Sequence, residues 1–294
     1  MPPRPLPPSA LRHLVFRGAD AVRAGLITPD QLRGSAYVRL FRGVYADASL
    51  DIDHRLRTDA AGLLLPARAA IAGRSAVAAA GIADVVGDDE PVEVIIEPDV
   101  VFGPFKGMRI RRARLPATDM LASDPRRTTL LRAAVDIARE PDGTRAVVAL
   151  DRILHSGRIT HDALSAAVVG LPPCRGSALA RTAVSRADGR SESPPETVTR
   201  LLLVAAGLAP VPQHDVLVGG VFVARVDLAF VVERVAVEYE GSWHWEPGQL
   251  RRDRLRLDRL TAAGWRVVHV TAADLHHPQA MLDRVRSVLA LASA

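Results

Sequence analysis

The spacing of apolar positions divides the chain into three stretches. In the first, Leu11 to Ala46, Gly18–Ala24 reads as a short helix closed by Gly25, a residue suited to a left-handed cap. Thr28-Pro-Asp-Gln31 then has the cap, the first-turn proline and the capping-box glutamine that start a second helix. Tyr37-Val-Arg-Leu-Phe-Arg-Gly-Val-Tyr45 alternates as a β-hairpin does. From Asp51 to Val169, helical periodicity falls on Arg55–Leu65, Ser75–Ala80, Thr128–Ala138, Arg145–Leu154 and His161–Val168, with strand-like runs at Val92–Glu97 and Met108–Leu115. A polar connection, Gly170 to Glu192, contains a basic helical piece at Ser177–Arg186 and ends in a loop, Ala187 to Ser193.

The last stretch is the most regular. Ser193-Pro-Pro-Glu196 opens a helix stopped by Gly207. Val211–Val218, a Gly219-Gly220 turn and Val221–Phe230 form a hairpin, and Arg234–Glu240 is a third strand. Pro247–Ala263 is an arginine-rich helix, Trp265–Val270 a fourth strand, and Asp274–Leu291 a closing amphipathic helix. The element order is αβββαβα.

Composition narrows the classes. The chain has 294 residues with 48% hydrophobic content, enough for two or three domains with real cores. Aromatics are only 4%, so those cores rest on Ala, Val and Leu. No run of about 18 apolar residues exists, and the proline-rich start lacks the apolar segment of a secretory signal. One cysteine, Cys174, excludes an internal disulfide or a cysteine-based zinc cluster. A soluble cytoplasmic protein is expected, with no membrane association. The net charge of +5 points weakly to a polyanion. The lysine count of one, Lys106, against many arginines is equally what a high-GC genome produces.

Candidate chemistry lies in the last stretch. Strand alternation puts Val226 and Leu228 on one face and Asp227 on the other, and sets Glu238 and Glu240 together against Val235, Val237 and Tyr239. A short connection between the second and third strands brings Asp227 near Glu238. Like charges at about 6 Å and an effective dielectric near 20 repel by roughly 2–3 kcal/mol per pair, so such a group calls for a cation. Hard oxygen ligands in an open site fit Mg²⁺ or Mn²⁺, with Asp227, Glu238 and Glu240 as the metal ligands. His244, just beyond the carboxylates, is placed to move a proton. Arg225 and Arg234 could instead neutralise these acids as ordinary ion pairs. Glu196 is accounted for by a capping box with Ser193, and also stands as a catalytic candidate. Asp253 and Arg256, at i and i+3 on the arginine-rich helix, are either a surface ion pair or contacts to phosphate and to the site's first ring of residues.

Two resemblances follow from these residues. The order αβββαβα is that of the PD-(D/E)XK nuclease core. Ser193 to Leu275 resembles the Vsr-like endonuclease domains attached to actinobacterial winged-helix proteins: the Ser193-to-Glu196 helix start, Asp227, Glu238 to His244, Asp253 to Arg256, and Gly264-Trp-Arg-Val267. It implies Glu196, Asp227, Glu238, Glu240 and His244 as catalytic residues. Two departures are plain. Glu240 stands where those domains have Asp, and the lysine of the wider superfamily's third motif is missing, a place that Vsr-like sites fill with histidine. The first stretch resembles the winged-helix domain of AbiEi-type antitoxins, ending in Arg42-Gly-Val-Tyr45, and implies that the second helix with Arg33 enters a DNA groove while Arg39 and Arg42 of the wing meet phosphates.

The expectation is therefore an α/β (multi-domain α+β) protein: a winged helix-turn-helix over 1–50, a mixed region over 51–190 and the nuclease-like domain over 191–294. Its expected activity is Mg²⁺- or Mn²⁺-dependent hydrolysis of DNA phosphodiesters. The alternative is an antitoxin-like transcriptional regulator with an inactive nuclease-like half and a cognate toxin as partner; an RNA nuclease is a third reading.

Overall fold

The computed structural model describes residues 6–241 and 249–293. The chain divides into two compact units. The first runs to Glu140 and takes in Arg158–Ala180; the second comprises Pro141–Gly157 and Arg181 onward. The three-region organisation expected from sequence thus stands beside a two-unit division in which residues 141–157 group with the C-terminal part.

The first unit begins with β1 (Val15–Arg17), α1 (Gly18–Arg23), β2 (Tyr37–Phe41) and β3 (Val44–Asp47). The strands form a sheet of order β1-β3-β2. Phe16 packs edge-on against Tyr37 with ring centres 5.5 Å apart, over a core of Leu11, Ala21, Ile27 and Ala36. The hairpin is as expected, but the second helix is not formed. The Thr28–Gln31 cap bonds are present, at 2.7 and 3.3 Å, yet only a three-residue 3-10 turn, Gln31–Arg33, follows. Gly34 already has extended backbone and β2 starts at Tyr37. A capping signature starts a helix without lengthening it, and one turn has too few bonds to offset nucleation. The major-groove helix of a winged helix-turn-helix is accordingly lacking among the described residues.

The unit continues with α2 (His54–Gly62), β4 (Ala69–Ile71), α3 (Gly73–Ala79), β5 (Val92–Ile96), β6 (Met108–Arg112), β7 (Met120–Leu121), β8 (Arg127–Thr128) and α4 (Leu130–Ala138). Its second sheet has the order β6-β5-β4-β8-β7. After α5 (Gly143–His155), which belongs to the second unit, comes α6 (His161–Val169), packed on α4. Helix α7 (Ser177–Arg186) contains the third boundary between the units.

The second unit holds α8 (Pro194–Ala205), β9 (Val211–Val218), β10 (Val221–Phe230), β11 (Val235–Tyr239), α9 (Gln249–Ala262), β12 (Arg266–Val270), α10 (Ala272–His276) and α11 (Pro278–Ser293). The order αβββαβα is as expected, with the closing helix split in two. Pro278 lacks the N–H a continuous helix needs and pushes His277 out of helical backbone. The sheet order is β12-β11-β10-β9, with β11 and β12 parallel. Gly219 and Gly220, both at positive φ, make the tight turn of the β9–β10 hairpin.

The sheet is covered on both faces. Leu203 of α8 and Met281 and Val285 of α11 meet Leu228, Phe230, Val235, Val237, Val268 and Val270. Leu260 of α9 and Trp265 meet Val216, Ala224, Val226, Ala229 and Ala236. Val226 and Leu228, expected on one face, therefore enter different clusters. Helix α5 is fastened to α8 by a buried pair: Asp151 accepts from Arg200 at 2.7 Å and from Thr197 at 2.8 Å.

Candidate functional site

Strand pairing sets the site. The antiparallel register of β10 and β11 runs Phe230–Val235, Ala229–Ala236, Leu228–Val237. One further step along that register sets Asp227 opposite Glu238. There the ladder gives way, and Asp227 itself takes the Tyr239 backbone N–H on Oδ2 at 3.0 Å. Its Oδ1 has no hydrogen-bond partner among the described residues. Burial, and next the negative charges of Glu196 and Glu238, push Asp227 up to about 6, against the pull of the Tyr239 N–H and of Arg256. A carboxyl that loses its proton near neutrality can take one from a water molecule.

Glu196 is brought to Asp227 by the N-terminal turn of α8. Ser193 caps that helix; its hydroxyl donates to Glu196 Oε1 at 2.8 Å, while Oε2 accepts from the Glu192 N–H and from Gln213 Nε2, each at 2.9 Å. The carboxylate is buried and fully engaged. It contributes charge to Asp227 from a fixed position.

Glu238 is buried on β11 and is held by Arg256 of α9 through two parallel contacts of 2.6 Å. Arg256 also donates to the Arg225 carbonyl at 2.6 Å. This is the fork geometry that makes guanidinium–carboxylate pairs strong. Arg256 thus neutralises Glu238 and borders Asp227. Asp253 lies on the same helix, and its side chain falls outside the described residues.

Glu240 departs from expectation. It follows the end of β11, and its Oε1 lies 2.8 Å from His269 Nδ1 of the neighbouring β12, at the right length but without hydrogen-bond alignment. Among the described residues, no three His, Cys, Asp or Glu side chains stand together as a metal-binding group. Of the expected ligands, Asp227 and Glu238 lie on adjacent strands with Glu196 beside them, while Glu240 turns to His269. His244 lies outside the described residues. Arg225 pairs with Asp215 at 2.7 Å rather than with the site acids.

Gln213 and His269 belong to this arrangement and were not anticipated. His269 is a polar residue between valines, an interruption that was an available signal, whereas Gln213 sits in the polar run Gln213-His-Asp215 and carries none. In the first unit, Arg33 pairs with Asp30 at 2.8 Å on the surface, while Arg39 and Arg42 are exposed.

Fold and site together define a mixed α/β protein whose second unit gathers three carboxylates at one end of a four-stranded sheet. No known family profile matches the chain. It is 33% identical over 256 residues to the uncharacterized protein Rv2248 of Mycobacterium tuberculosis, covering 83% of this chain and 89% of that one. The uncharacterized protein MT2308 of another strain of that species matches to the same extent. The chain belongs to the family of these mycobacterial proteins. Among solved structures it is similar to the catalytic domain of the homing endonuclease I-Bth0305I, at a TM-score of 0.28 and 18% identity, over 34% of this chain and 97% of that one. Among the described residues no helix is long and apolar enough to cross a membrane.

Proposed function

We infer that the second unit is a metal-dependent phosphodiesterase acting on DNA. The observation that carries this reading is the meeting of Asp227, with an open oxygen, and buried Glu238 on adjacent strands, with Glu196 added by α8. A charged Asp227 beside buried Glu196 and Glu238 is unfavourable alone and is stabilised by a bound cation. The donor set fits a hard divalent ion: Asp227 offers a free oxygen, and Glu238 would join it by releasing one of its two Arg256 contacts. When bound, Mg²⁺ or Mn²⁺ supplies charge stabilisation of phosphate and a water of lowered pKa.

The chain's own residues have distinct tasks. Asp227 would hold the ion through its open oxygen. Arg256 keeps Glu238 in place and turns a guanidinium N–H to the phosphate when that pair loosens. Gln213 and Ser193 position Glu196. The Vsr-like resemblance assigns His244 to proton transfer as well. The direct test is cleavage of supercoiled plasmid with Mg²⁺ or Mn²⁺ by the wild type, Asp227→Asn and Glu238→Gln. Cleavage by the wild type, reduced at least 100-fold in each variant, is expected; equal cleavage by all three would refute the assignment.

A second reading has its own observation, the two-contact Arg256–Glu238 pair, which occupies a would-be ligand. In it, the unit binds DNA without cutting it and the chain acts as an antitoxin-like regulator with a toxin partner. Sequence-specific retardation of its own upstream DNA, unaffected by Asp227→Asn, would favour it.

A further inference from the structure

Several arginines of the first unit are matched by acids, among them Arg33 by Asp30, Arg68 by Asp99 and Arg74 by Glu140. Arg39, Arg42 and Lys106 are not, and among the described residues all three line one cleft of about 790 Å³. Arg57 also lines it, and the sole acid there, Asp89, meets Arg57 at 3.2 Å. Four cations against one acid leave the wall at +3.

The cleft is built rather than incidental. Arg39 is on β2, and Arg42 leads the turn into β3. Lys106, the lysine singled out by its rarity, is in the segment 103–107 between β5 and β6. That segment is tied down by Val92 N–H to the Gly107 carbonyl at 2.9 Å and Met108 N–H to the Phe105 carbonyl at 3.1 Å. It lies directly on the hairpin: a Cβ on Gly107 would sit 3.2 Å from the Phe41 ring. Phe105 is half-buried against Phe102, ring centres 4.8 Å apart, and Phe41 is buried. Single-strand binders offer open aromatic faces to unstacked bases. This cleft offers unmatched guanidinium and ammonium groups instead, which suit phosphates.

We propose that the cleft of Arg39, Arg42 and Lys106 is a sequence-independent seat for the phosphate backbone of duplex DNA, formed by a hairpin and a loop. The choice of DNA as the polymer rests on the phosphodiesterase reading; the seat itself rests on charge and geometry. It gives the first unit a means of holding DNA without the helix that the sequence led one to expect.

The test is fluorescence anisotropy of a labelled duplex of arbitrary sequence with the full-length protein, in EDTA, across a series of NaCl concentrations. Each phosphate neutralised contributes about 0.9 to the slope of log affinity against log salt. The triple variant Arg39→Ala, Arg42→Ala, Lys106→Ala should lose about 2–3 from that slope and bind about tenfold more weakly or worse at moderate salt. Lys106→Arg and Arg33→Ala should keep the wild-type slope. Should the triple variant melt early, Lys106→Glu alone, at an exposed loop position, should weaken binding in the same direction. An unchanged slope in the triple variant, loss of binding through Arg33→Ala, tighter binding of single strands or of duplex RNA, or no binding by the wild type would each overturn the proposal. Binding through this cleft by a protein that cuts nothing with Mg²⁺ would overturn the phosphodiesterase reading and leave the seat intact.

Discussion

Asp227 is held near 6 by burial and by two neighbouring carboxylates, well above the ordinary carboxylate value of 3.8. A raised acid favours its protonated form in the folded state, so folding is most favoured by this group below about pH 4. That contribution is lost as pH rises through about 6, a difference of roughly 3 kcal/mol. Asp227→Asn keeps the acceptor for the Tyr239 N–H and removes the charge. It should therefore stabilise the metal-free protein by about 1–3 kcal/mol at pH 8 and change little at pH 4, as read from urea unfolding at the two pH values. Arg256→Ala leaves Glu238 buried without its partner. Since Arg256 is itself 37% exposed, the cost should be about 1–3 kcal/mol, and Arg256→Lys should recover only part of it because ammonium lacks the paired fork.

At the scale of elements, α8 is the part on which the site most depends, since it carries Glu196 and is anchored through its next residue, Thr197, and Arg200 to Asp151 of α5. Asp151 is fully buried and Arg200 nearly so, so Asp151→Ala should cost about 3–5 kcal/mol and raise amide exchange in α5 and α8 before the β10–β11 ladder. The sequence made these elements legible to different degrees. Strands β9 and β10 were placed to the residue, because alternation runs up to a Gly-Gly turn. Helices α7, α8 and α9 were placed within a few residues from their caps and stop glycines. Strands β1, β4, β7 and β8 were missed, each being only two or three residues long. The second N-terminal helix was over-read from a cap that closes only one turn. The break at Pro278 was in plain view and passed over.

For the whole molecule, the sequence placed the acidic residues of the site on the right strands but not their partners. Glu238 and Arg256 are 18 residues apart, and only the packing of α9 over β11 shows that one neutralises the other. The turning of Glu240 toward His269 likewise depends on the parallel β11–β12 register, Glu238 beside His269, which no local pattern encodes. Net charge, too, carried little until the matched arginines were set apart from the unmatched cluster at Arg39, Arg42 and Lys106. The 33% identity over most of both chains makes the mycobacterial relatives a natural second subject for the same variants.

Whether Asp227 and Glu238 hold a divalent cation is open to direct measurement through unfolding at pH 8 with increasing Mn²⁺. A ligand that binds only the folded state stabilises it in proportion to the logarithm of its concentration over its dissociation constant. The wild type should gain about 2–3 kcal/mol at a hundredfold excess over that constant, while Asp227→Asn, though more stable without metal, should gain almost nothing. Equal stabilisation of both proteins by Mn²⁺, or of neither, would contradict the account.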